Sequence, residues 1–247
     1  MHLLEIATFN VQSALAAAQA GADRIEICDN MFEGGTSPSY GTIKMLKSRL
    51  NIPLFAMVRA RGGDFFYNDE EFAVMRNDLK LFKELGCDGV VFGFLKADGS
   101  VDKEKTSRFC ELSYPMEVTF HRAFDRANHP LVALEDIVDC GCQRILTSGQ
   151  MSVATEAMYM LQQLIKQAAE RIIIMPGSGV RSNNIQLVVQ HTGATELHSS
   201  ARLMLPSAMN FTNPHMQEIL ETVTIDADEI RSMKNVLNRL DPKVSIP

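Results

Sequence analysis

Several short stretches of this sequence alternate charged or polar residues with strongly apolar ones: Leu4-Glu5-Ile6, Arg24-Ile25-Glu26-Ile27-Cys28, Glu117-Val118-Thr119-Phe120-His121 and Glu196-Leu197-His198-Ser199-Ser200. A period of two is that of a β-strand, whose successive side chains point to opposite faces of a sheet. With the aliphatics on one face, Glu5, Arg24, Glu26, Cys28, Glu117, Thr119, His121, Glu196, His198 and Ser200 share the other. Burying ions is costly, so such a set persists only if its members pair with one another or bind something. Glu5, Glu26, Glu117, Glu196 and Arg24 read as a paired network. On that reading, removing Glu117 from a buried arginine is expected to cost roughly 3 to 5 kcal/mol. Arg59, Arg61, His121, Arg122 and His198 fall at or beyond strand ends and read as a ligand site. For an enzyme, His121 is the natural general acid or base, with Glu26 or His198 as its counterpart.

Other segments point to an anion. Thr147-Ser148-Gly149 and Pro176-Gly177-Ser178-Gly179-Val180 each follow an apolar run. Backbone amides of a Gly-rich turn, with the start of the next helix near Asn183, form a phosphate cradle; the bland alternative is that the glycines only permit a tight turn. Arg59-Ala60-Arg61-Gly62-Gly63-Asp64-Phe65 sets two guanidinium forks beside an aspartate, suited to binding a carboxylate or phosphate or to a salt bridge within the loop. The candidate anion set is therefore Arg59, Arg61, Arg122, Asp125, Ser148, Gly149, Gly177, Ser178 and Gly179. For a metal, Cys28 is the one cysteine that is both inward-facing and at a strand end, with His121 and His198 as partners across the interior, a set for soft Cu(I). Cys140 and Cys142 flank a helix end on the opposite side, and the 14 methionines are scattered and read as core filling.

The elements that must position these groups follow from the same pattern. Strands are expected at Leu3–Ala7, Arg24–Cys28, Leu54–Arg59, Gly89–Gly93, Glu117–His121, Arg144–Ser148, Ile172–Met175 and Glu196–Ser200. Helices lie between them, including Ala14–Ala20 capped by Asn10, Glu71–Leu85, Pro130–Cys140 and Asn183–His191. Ser37 before Pro38 reads as another helix cap. Gly-Ala or Gly-Cys helix exits at Gly21, Gly86, Gly141 and Gly193 recur every two βα units. Eight such strands close into an α/β fold, a (β/α)8 TIM barrel, whose active sites lie at the C-terminal ends of the strands. The 247 residues fit one domain, with a barrel core over 2–205 and a polar loop and closing helix over 206–247, the helix spanning Ala227–Leu240.

Composition narrows the setting. The net charge of −6 and the lack of basic tracks exclude a nucleic-acid partner. No apolar run approaches a membrane span, and a strand directly after Met1 leaves no signal peptide. Five cysteines without a CxxC pair read as reduced thiols of a cytoplasmic protein.

Ala20-Gly21-Ala22-Asp23-Arg24-Ile25-Glu26-Ile27-Cys28, Gly34-Gly35-Thr36-Ser37-Pro38-Ser39, the Arg59–Phe65 segment, Val118-Thr119-Phe120-His121-Arg122-Ala123-Phe124-Asp125, Leu146-Thr147-Ser148-Gly149 and His198-Ser199-Ser200-Ala201 together resemble the CutC copper homeostasis family, from residue 3 to about 205. The resemblance implies a TIM barrel, cytoplasmic location, self-association as a dimer or tetramer, and a role in copper handling. It places copper ligation on cysteines after the first two strands. Here the second is Cys28 and the first position is Ala7, while Ala60 stands where the family usually has the proline of Arg-Pro-Arg. The expected partner is thus a copper ion, bound weakly, or a small anionic metabolite, with no organic cofactor.

Overall fold

The computed structural model describes residues 1–217 and 219–241. The alternating segments form β1 (Leu3–Thr8), β2 (Arg24–Ile27), β3 (Leu54–Met57), β4 (Gly89–Phe92), β5 (Glu117–Phe120), β6 (Arg144–Thr147), β7 (Ile173–Pro176) and β8 (Glu196–Ser199). All pair in parallel in chain order, and β1 also pairs with β8, so the sheet curls into a barrel. At the seam β7 and β8 lie side by side without a shared ladder.

Around the barrel run α1 (Val11–Gln19), α2 (Tyr40–Lys47), α3 (Asp69–Glu84), α4 (Lys103–Ser113), α5 (Pro130–Asp139), α6 (Met158–Ala168), α7 (Ile185–Thr192) and α8 (Ala227–Leu240). Their ends follow local chemistry. The Asn10 side chain accepts from Ser13 N at 2.8 Å and starts α1, and Asn68 with Glu71 forms a capping box on α3. Ser39, not Ser37, caps α2. Ser37 is taken up instead by the backbone of Arg59, whose amide donates to its Oγ at 3.1 Å. Helix α7 starts two residues later than Asn183 because Asn184 Oδ1 accepts from Arg181 N and holds the intervening residues in a turn. The stretch after Ala201, expected as a polar loop, begins and ends in an antiparallel pair, β9 (Arg202–Leu205) with β10 (Thr222–Ile225).

Leu4, Ile6, Ile25, Ile27, Phe120 and Leu197 are fully buried in the main core. Inside the barrel a smaller apolar plug, Phe55, Met57, Val91 and Cys28, sits among charges. Arg24 donates to Glu5 and, at 2.6 Å, to Glu196; Arg144 donates to the same Glu196 oxygen at 2.7 Å and lies 2.6 Å from Glu117. Both guanidiniums stack on Phe55, 4.8 and 5.3 Å from its ring. That ring occupies the space a side chain at Gly89 would need: an added Cβ would lie 2.5 Å from it. Glu117 belongs to the network, but its side chain is 51% exposed at the barrel floor. Water therefore shares its charge, and the cost expected for its removal falls to about 1 kcal/mol or less.

Candidate functional site

At the C-terminal ends of the strands the barrel opens into a cavity of about 280 Å³. Glu26 and Cys28 enter it from β2, Met57 and Arg59 from β3, His121 and Arg122 from β5, Ser178–Arg181 from the turn after β7, and His198–Ser200 and Arg202 from β8 and beyond.

His121 directly follows β5. Its Nδ1 accepts from Ala123 N at 3.2 Å, so in the neutral ring the proton sits on Nε2. That Nε2 is buried without a partner. Burial, then the positive charge of Arg59, push the His121 pKa down to about 3, so the ring is a neutral N–H donor throughout the physiological range. Gly93 leaves it room: an added Cβ there would come within 2.7 Å of Nδ1. On its other side the ring meets Phe65, 4.8 Å between centroids.

The arginines divide into different tasks. Arg59 Nη1 donates to Glu33 O at 2.7 Å and Gly35 O at 2.9 Å, and Nη2 to Gly63 O at 2.8 Å. Its fork thus staples two loops together, leaving only a buried, unpartnered Nε at the cavity. Arg61 is not brought to the mouth. Glu71 at 2.5 Å, Asp64 at 3.1 Å and Phe66 O at 2.9 Å hold it outside; the capping glutamate of α3 is a nearer charge than any group in the cavity. Arg122 donates to Asp125 at 2.7 Å, Ser148 Oγ at 3.0 Å and Ser178 Oγ at 3.3 Å. Asp125 faces away from the cavity, accepting from Thr147, Ser148 and Gln150. Together with Ser148 it props the loop. Gly149 is placed behind that loop, where an added Cβ would be 2.6 Å from Ala157, and Gly177 lies against Leu146 and His198.

Deeper in, His198 Nδ1 is 2.8 Å from Glu5 and its Nε2 is 3.7 Å from Glu26. Burial opposes charge on Glu5, but Arg24 and His198 outweigh it and hold its pKa down at about 2. For Glu26 burial wins over the attraction of His198, aided by repulsion from Glu5, and its pKa is pushed up to about 7. One Glu26 oxygen has no partner. Burial lowers the pKa of His198, yet Glu5 and Glu26 more than offset it and the net shift is upward. Burial, then Glu26 and Glu5, drive the Cys28 thiol well above its usual pKa. Donor atoms of Glu5, Glu26 and His198 lie within 4.8 Å of one another, but Arg24 and the His198 proton already occupy the charge of Glu5.

Sequence reasoning missed Met57, Arg181 and Arg202 at the mouth and Arg144 in the network. Met57 was legible: once Val58 faces outward, its neighbour faces in. Arg202 was hidden because the strand it opens looks polar and loop-like.

These features define a (β/α)8 barrel with a polar, partly unsatisfied pocket at the strand ends, the place where such barrels build ligand sites. The chain matches the CutC family over residues 2–203 and belongs to it. It is 48% identical over 209 residues to a family protein CutC of Chromobacterium violaceum, covering 85% of each chain. It is 46% identical over 211 residues to the human copper homeostasis protein cutC homolog, covering 85% of this chain and 77% of that one. A crystal structure of CutC from Streptococcus agalactiae superposes with a TM-score of 0.78 at 33% identity, over 81% of this chain and 99% of that one.

Proposed function

We propose that this protein acts in copper homeostasis, as its human relative is named for, and holds Cu(I) weakly on the inner wall of the mouth. The observation that carries the reading is the presence of two soft side chains side by side there. Cys28 and Met57 both line the cavity and pack in one cluster, and Cys28 Sγ and the Met57 methyl Cε lie 3.3 and 3.5 Å from the point a Cβ on Gly35 would occupy. Both are ligand types that select Cu(I). Weakness follows from the surroundings. The Cys28 thiol must lose a tightly held proton, the His198 ring is already engaged by Glu5, and His121 presents an N–H rather than a lone pair. Binding should release protons and strengthen as pH rises.

Cu(I) titration against a competing chelator under reducing conditions tests this. Cys28→Ser should abolish binding and Met57→Leu should weaken it; unchanged affinity in Cys28→Ser would remove the site. The free cysteines of the described residues suit a reducing cytoplasm. No helix among the described residues is long and apolar enough to cross a membrane. Exposed Leu203, Leu205 and Phe211 along and beyond β9 suit self-association as a dimer or tetramer. A second reading, an enzyme of small anionic metabolites, is favoured by the unpartnered buried atoms Arg59 Nε, His121 Nε2 and Glu26 Oε1, which surround the cavity.

A further inference from the structure

We propose that the turn after β7, with Arg122, Arg181 and Arg202, binds the phosphate group of a small phosphate monoester whose body occupies the cavity against His121. This goes beyond copper handling and does not depend on it.

The backbone supplies the first part. Ser178 and Gly179 both have left-handed backbone, with φ of 73° and 75°. Such a conformation is uncommon for serine. The turn lies at the seam where β7 and β8 share no ladder. The amides of Ser178, Gly179 and Val180 consequently donate to no acceptor among the described residues, whereas the amides on either side, of Gly177 and Arg181, are bonded. Three successive free amides on one wall of a cavity form an anion cradle.

The charges agree. Arg122 reaches the same turn through Ser178 Oγ at 3.3 Å, with Asp125 neutralising it in part. Arg181 and Arg202 line the cavity, and neither forms an ion pair within 4.0 Å among the described residues. Arginine forks beside amides match the several oxygens of a phosphate better than the two of a carboxylate.

An independent observation points to the rest of the ligand. His121, 3% exposed, turns an unpartnered Nε2–H into this cavity. A buried donor left unbonded in a polar pocket calls for a partner. An oxygen on the ester's carbon chain would supply the acceptor. The 280 Å³ of space limits that chain to a small metabolite.

The test is a titration of copper-free, chelator-treated protein with inorganic phosphate and with glycerol 3-phosphate, followed by amide and imidazole NMR. Both probes should shift the Ser178, Gly179 and Val180 amides saturably, and the ester alone should also shift His121 Nε2–H. The Arg181→Met/Arg202→Met double variant, altered at the rim, should bind both at least about tenfold more weakly, as expected for losing charged hydrogen bonds. Its circular dichroism and melting should match wild type. Cys28→Ser should bind phosphate as wild type does, which separates this site from the copper reading. Shifts scattered away from the turn, tighter binding of acetate than of phosphate, or undiminished affinity in the double variant would each overturn the proposal.

Discussion

Glu5→Ala is expected to destabilise the barrel by about 3 to 5 kcal/mol, the usual cost of stripping one member from a buried ion pair. Glu5 is fully buried and its two oxygens serve two partners, Arg24 and His198. Removing it leaves Arg24 with Glu196 alone, and that carboxylate is already shared with Arg144. It also opens a void, which adds to the loss. Glu5→Gln fills the void while still removing the charge, so it should recover only a part. Glu117→Ala provides the contrast, since both side chains touch a buried arginine but only Glu117 reaches water. Urea unfolding at pH 7 measures all three. The pH dependence carries a second signature. The Glu5 pKa is lowered from 4.5 to about 2, so its contribution is complete above pH 4.5 and fades as pH falls toward 2; that acid-side loss should be smaller in Glu5→Ala. If Glu5→Ala and Glu117→Ala cost the same, the lumen network does not hold this fold together.

The strands were legible because aliphatic alternation on β1, β2, β5 and β8 survives the charges threaded through it, and the observed bounds differ from expectation by one or two residues. The lumen followed from the same alternation, since Glu5, Arg24, Glu26 and His198 had no other face to occupy. What could not be read was which groups spend their hydrogen bonds elsewhere. Arg59 and Arg61 stand two apart in one loop, yet Arg59 is absorbed by two carbonyls of the loop after β2 and one of its own loop, and Arg61 by a helix cap. Those partners come together only once the loops after β2 and β3 have folded. The tautomer of His121 depends likewise on an amide two residues on, and it decides whether the ring donates to a ligand or accepts a metal. The β9–β10 pair escaped because Arg202 and the threonines of β10 interrupt its apolar residues and its connection is long.

Glu26→Gln is expected to stabilise the protein at pH 8 much more than at pH 5. Glu26 is 3% exposed, so solvent screening does not dilute its shift. Its pKa rises from 4.5 in the unfolded chain to about 7 in the fold. Between those values the native state keeps a proton that the unfolded state has lost, so wild-type stability falls as pH rises and levels off above 7. At 1.36 kcal/mol per unit the total reaches about 3 kcal/mol. Glutamine is neutral in both states and escapes this loss. The groups facing Glu26 modify the outcome without reversing it. His198 loses one of its two carboxylate partners, so its raised pKa relaxes toward the ordinary value, but Glu5 still holds its Nδ1. Cys28, freed of a neighbouring anion, becomes easier to ionise, since Glu26 helps drive its thiol pKa up. Under the copper reading the same variant should therefore bind Cu(I) more tightly at neutral pH, for the thiol gives up its proton more readily. A wild type that carries a destabilising carboxylate facing an open cavity is retaining it for what it touches there, the usual relation between stability and function at a site. Urea denaturation from pH 5 to pH 8 decides the matter: parallel curves for wild type and Glu26→Gln would mean that Glu26 is ionised throughout, and the mouth would then hold a permanent negative charge opposite the anion cradle.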